Sequence, residues 1–162
     1  MNNQIQYQYY QQQACLEIFK MMYGTNEIPK QGFITNSTMI KIIMLDAIRV
    51  LKKEPTVIDI DDDAVIFGDI YGDFKALRTM MKKSPMQNKP FVFLGNYIDK
   101  GEHSLDILCF LLTCKTLWPN QFILLRGNHE DCTISKIDKK YSFYKDMKER
   151  FDEGTRFCSQ NF

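Results

Sequence analysis

The sequence predicts an α/β fold built on a parallel sheet. Three short apolar runs carry that prediction: AVIF (64–67), FVFL (91–94) and FILL (122–125). Each is too brief for a helix and is bounded by turn residues, the pattern of a buried strand. Two helical stretches separate them, and the repeat of roughly thirty residues is that of paired βαβ units. Such crossovers are right-handed, so the strands should run parallel.

Residues 2–13 (NNQIQYQYYQQQ) form a Gln/Asn/Tyr tract. A segment of this kind buries too little apolar surface to offset its ordering entropy, so residues 1–13 are expected to be a disordered tail. The folded domain is then expected over 14–162. A helix follows the tract, with Leu16, Phe19 and Tyr23 on its apolar face. A stronger helix is predicted over 38–52, where Ile40, Ile43, Met44, Ala47, Ile48 and Leu51 recur at three- and four-residue spacing. Pro55 stands just past its end, a usual stop signal. The run DIDDD (59–63) lacks the glycine and closing acid of a calcium loop, because Ala64 and Ile70 stand there. It reads as a solvated turn before the first strand.

Between the strands, residues 74–83 carry Leu77, Met80 and Met81, and residues 104–117 carry Leu105, Leu108, Leu111, Leu112 and Leu117. Both read as helices covering the sheet. A last helix is predicted over 134–151, with Tyr141, Tyr144, Met147 and Phe151.

Bulk properties exclude several classes. The formal net charge of +1 leaves no electrostatic footprint for nucleic acid or an anionic membrane. No apolar run approaches the ~18 residues of a membrane span, and the N-terminus lacks the order of a signal peptide. The five cysteines are odd in number and form no CxxC pair; Cys109 and Cys114 sit in an apolar stretch as small hydrophobes. A reducing compartment, cytoplasm or nucleus, is expected.

The chemistry lies directly after each strand. The loops read GDIYGD (68–73), GNYIDKG (95–101) and RGNHE (126–130). In a parallel sheet all three emerge at the strands' carboxyl ends, where open α/β sheets bind ligands. They deliver carboxylates, carboxamides and a histidine, donors suited to hard or borderline divalent metals.

These loops resemble, in order, the three motifs of the PPP family of serine/threonine protein phosphatases, a branch of the calcineurin-like metallophosphoesterases: GDxHG, GDxVDRG and GNHE. LRGNHE (125–130) agrees at every position, and 132–151 is similar to the family's segment after GNHE. The resemblance spans about 38–162. It implies the first, βαβαβ part of the calcineurin-like fold, preceded by N-terminal helices. It also implies two divalent metals of the Mn/Fe/Zn type sharing a water that attacks phosphorus in a phosphoprotein. By motif position Asp69, Asn96 and Asn128 fall on metal ligands, and Lys100 and Asn128 on phosphate contacts. His129 would protonate the leaving oxygen, oriented by Asp99.

Three departures weaken that site. Tyr71 replaces a ligand histidine, and a neutral phenol of pKa near 10 is a poor ligand. Asn96 replaces a bridging aspartate. A unit charge about 2.1 Å from a dication carries roughly 16 kcal/mol of gross attraction at an effective dielectric of ~20. Most of that is offset by desolvation, yet the net loss should reach several kcal/mol. Lys100 keeps the charge of an arginine and loses its bidentate fork. The family's further metal histidines come from a later half, while this sequence holds only His103 and His129; His103 reads as solvated surface at a helix start. None or one weakly held metal is therefore expected. The expectation is an inactive homologue acting by binding, with a weakly active metal-dependent phosphomonoester hydrolase as the alternative. Helices on one side only would also leave a sheet face bare for a protein partner.

Overall fold

The structure is a computed structural model that describes residues 3–24, 29, 32–61, 63–84, 89–131, 133–134 and 142–151. The described elements are α1 (Asn3–Tyr23), α2 (Ser37–Leu51), β1 (Val65–Phe67), α3 (Phe74–Lys83), β2 (Phe91–Phe93), α4 (Ser104–Leu117), β3 (Phe122–Leu124), a 3-10 turn (Asn128–Glu130) and α5 (Phe143–Arg150). The strands lie in the order β1-β2-β3, all parallel, with Phe67 opposite Phe93 and Phe93 opposite Leu124.

Side chains alternate across a strand, so one sheet face collects Phe67, Phe91, Phe93 and Phe122. All four are buried. The Phe67 and Phe93 rings stack at 4.4 Å, and Phe91 meets Phe122 edge-on at 5.5 Å. Leu77, Leu105, Leu108 and Leu111 from α3 and α4 join the same core. Cys109 and Cys114 are free and buried, as small hydrophobes.

The opposite face holds Ile66, Val92 and Ile123, continued by Leu94 and Leu125. Ile66 is 65% exposed, Leu94 47% and Leu125 45%, whereas Val92 and Ile123 are buried. The expectation of a bare face therefore applies to its β1 side and its carboxyl end alone. Ile123 lines a hollow together with Pro55, Ile58 and Ile60 from the segment before β1.

Helix α2 starts where Asn36 accepts from the Thr38 and Met39 N–H groups at 2.9 and 3.1 Å. Its apolar face, including Ile40, Ile43, Met44 and Ala47, packs against α1 and α4. The C-terminal end of α4 is fixed by Lys115, whose ammonium is fully buried. It donates to Pro119 O at 2.8 Å and Phe122 O at 2.7 Å and pairs with Glu54. A charge this deep persists only when its hydrogen bonds are satisfied.

Four expectations need correction. Residues 3–13 are not a disordered tail but the first half of α1. Tyr7 and Gln11, one turn apart, both reach the Asp46 carboxylate on α2, Gln11 at 2.8 Å, and Arg49 closes the group. Secondly, α1 buries Ala14, Ile18 and Met21, leaving Leu16 45% exposed. Thirdly, the helix expected over 134–151 is not continuous: Thr133 and Ile134 are helical, but Ser142 is extended and caps α5 by accepting from Lys145 N at 3.1 Å. Residues 135–141, Tyr141 among them, lie outside the described residues. Finally, His103 is half-buried and meets Asp106 at 3.4 Å. No helix among the described residues is long and apolar enough to cross a membrane.

Candidate functional site

The three strand-end loops converge because glycines let their backbones touch. Gly95 has φ 99°, and a Cβ there would collide with Gly127, drawing the second and third loops together. Gly72, with φ 71°, abuts Gly101 in the same way and joins the first loop to the second. Only glycine fits at such a close approach. The Ile70 and Tyr71 N–H groups then donate to Asn96 O at 3.0 and 2.9 Å.

Glu130 pins this junction. Its carboxylate accepts from the N–H groups of Asn96 (2.7 Å), Tyr97 (2.8 Å) and Gly127 (2.9 Å). Sequence reasoning gave Glu130 no role; its place in LRGNHE was the available signal. Tyr97, also missed, buries its ring and donates to Leu125 O at 2.5 Å. Burial pushes its phenol well above the ordinary value.

The buried Asp99 carboxylate faces His129, with Oδ2 3.0 Å from Nδ1, and its Oδ1 accepts from Phe143 N at 2.7 Å. The His129 ring meets Tyr71 edge-on at 5.0 Å. Lys100 places its ammonium 3.4 Å from the centre of the Tyr71 ring, a cation–π geometry. Asn128 is exposed in the 3-10 turn beside His129. Asp69, Tyr71, Asn96, Asp99, Lys100, Asn128 and His129 are thus gathered at one sheet edge. His103 is turned instead toward Asp106 in α4.

Asn96 is the pivot. Its Oδ1 accepts from His129 N at 3.2 Å, and its Nδ2 donates to Asp69 Oδ1 at 3.1 Å. The His129 N–H needs an acceptor, so the amide orientation is fixed: oxygen toward the third loop, NH2 toward Asp69. The Asp69 carboxyl is held below the usual carboxylate range by the Tyr71 hydroxyl first and the Asn96 amide second.

The sequence profile of calcineurin-like phosphoesterases matches residues 64–162, more than half of the chain. The chain belongs to the calcineurin-like phosphoesterase family. Among solved structures, a serine/threonine phosphatase from Saccharomyces cerevisiae with similarity to human phosphatase PP5 superposes with a TM-score of 0.68 at 24% identity. The match covers 87% of this chain and 45% of that one, so this chain spans less than half its length. That likeness concerns the fold.

Calcineurin-like phosphoesterases are metal-dependent, so the donor set matters. Of the loop carboxylates, Asp73 caps α3 by accepting from Ala76 N at 2.9 Å, Asp99 is taken by His129 and Phe143, and Glu130 by three backbone N–H groups. Asp69 is the remaining anion, and it faces an NH2 group and a phenol. No three His, Cys, Asp or Glu side chains among the described residues are grouped to hold a metal ion. These residues do not fit a dinuclear metal pair.

Proposed function

We propose that this phosphoesterase-family chain acts by binding and does not turn phosphoesters over. The orientation of Asn96 is the observation that carries the reading. The position that should offer an anionic bridging ligand presents amide hydrogens instead, and these repel a cation. The ligands of the proposal are phosphorylated protein surfaces, met by Lys100, Asn128 and the His129 ring at the loop edge. A protein partner covering Ile66, Leu94 and Leu125 accords with their exposure.

Metal content of the purified, manganese-soaked protein, with Asp69→Ala alongside, tests the reading. Near-zero metal in both is expected. Metal bound stoichiometrically and lost in Asp69→Ala would sink it.

A second reading, weak metal-dependent phosphomonoester hydrolysis, draws on the His129–Asp99 pair, whose 3.0 Å contact suits a proton donor and its orienting carboxylate. Manganese-dependent turnover of p-nitrophenyl phosphate that vanishes in His129→Ala would favour it.

A further inference from the structure

We propose that Tyr71 and Asn96 form a hydrogen-bonded clamp on Asp69 that joins the strand-end loops in place of a divalent cation. The inference rests on the binding-only reading above and deepens it. The two residues are then a matched pair, not independent losses.

The directions of the hydrogen bonds are determined throughout. Oδ1 of Asn96 is committed to the His129 N–H, so both Nδ2 hydrogens point the other way. One runs to Asp69 Oδ1 at 3.1 Å and the other to the Tyr71 hydroxyl at 3.3 Å. The NH2 group has no acceptor capacity to return, which leaves the Tyr71 hydroxyl proton free for the Asp69 carboxylate, to which that hydroxyl hydrogen-bonds. Asp69 therefore receives two donors where the family's chemistry would supply a metal. The first loop gives Asp69 and Tyr71, the second gives Asn96, and the third joins through His129 N.

The surroundings hold Tyr71 in that role. It has φ 48°, a left-handed conformation that a bulky side chain adopts only under tertiary constraint. Its backbone N–H is tied to Asn96 O at 2.9 Å. Lys100 lies over one ring face and His129 meets the ring edge-on. An aspartate at 96 would instead aim a second carboxylate at Asp69, and like charges at that range demand a cation or a proton.

The test is thermal unfolding of the full chain in excess EDTA and in excess manganese, for the wild type, Tyr71→Phe, Asn96→Ala and the double variant. The wild-type midpoint should be the same in both buffers. Each single variant should unfold several degrees lower in EDTA. The double variant should lose less than the sum of the singles, because both remove parts of one network. Tyr71→Phe deletes one oxygen atom and decides the matter if Asn96→Ala does not fold. A wild type stabilised by manganese would overturn the binding-only reading and the clamp with it. A wild type indifferent to manganese, with a Tyr71→Phe midpoint equal to it in EDTA, would overturn the clamp and leave that reading standing.

Discussion

Asp99 joins His129 to the start of α5: one carboxylate oxygen lies 3.0 Å from the imidazole Nδ1 and the other accepts the Phe143 N–H at 2.7 Å. The carboxylate is wholly buried and itself sits at φ 66°. A helix N-terminus favours negative charge, so the first turn of α5 is a fitting neighbour for the carboxylate that orients the histidine. Docking of α5 and placement of His129 are thus one packing event.

Asp99→Ala removes an acceptor shared by two elements. Hydrogen bonds to charged groups contribute about 1.5–3 kcal/mol each. A loss of about 3 kcal/mol is expected in urea unfolding. A loss below about 1 kcal/mol would show that α5 docks without this carboxylate.

Lys115→Met leaves Pro119 O and Phe122 O without their ammonium donor and Glu54 without its partner. Breaking one side of a buried charged network costs about 3–5 kcal/mol. The unfolding midpoint in urea should drop accordingly. An unchanged midpoint would mean that water replaces the ammonium.

Tyr7→Phe asks whether the Gln-rich half of α1 is docked. The hydroxyl bonds Asp46 and receives Arg49 at 2.9 Å. Its removal should cost about 1 kcal/mol and speed proteolysis within residues 3–13. Cleavage at the wild-type rate would place that half outside the cooperative unit.

Two carboxylates around Arg150 should give opposite pH dependences. Burial raises the Asp106 carboxyl, but His103, the Arg150 charge and the Ile34 and Phe33 N–H groups outweigh it, and the net displacement is downward. Its contribution is full above an unfolded pKa near 3.9 and is lost as pH falls through the lower folded value. Asp146 is raised, chiefly by burial and against the pull of Arg150 at 2.6 Å. Its contribution is full below about pH 3.9 and is lost as pH rises through the folded value. Asp146→Asn should therefore remove that decline with rising pH, read as urea midpoints across pH. An identical profile in the variant would contradict the assignment.

Some of this was legible because it is local. Helices α3 and α4 follow from apolar spacing, and the strands from short runs between glycines, since periodicity reports which face a residue turns inward. The loop residues were legible for a related reason: parallel strands bring every following loop to one edge. Tyr7 and Asp46 were not, because their partners lie thirty-nine residues apart and neither alone offsets the entropy of ordering a polar helix. Ser142 was missed because an apolar period does not register a cap.

By itself the sequence determined the βαβαβ order, the parallel sense and the residues delivered to the sheet edge, all consequences of spacing and chain chirality. Only the tertiary structure decided which way Asn96 turns, what Glu130 and Lys115 hold, and that Asp99 serves both His129 and α5. Hydrogen-bond direction and burial depend on partners brought together from distant positions, and neither is written in the spacing along one strand or helix.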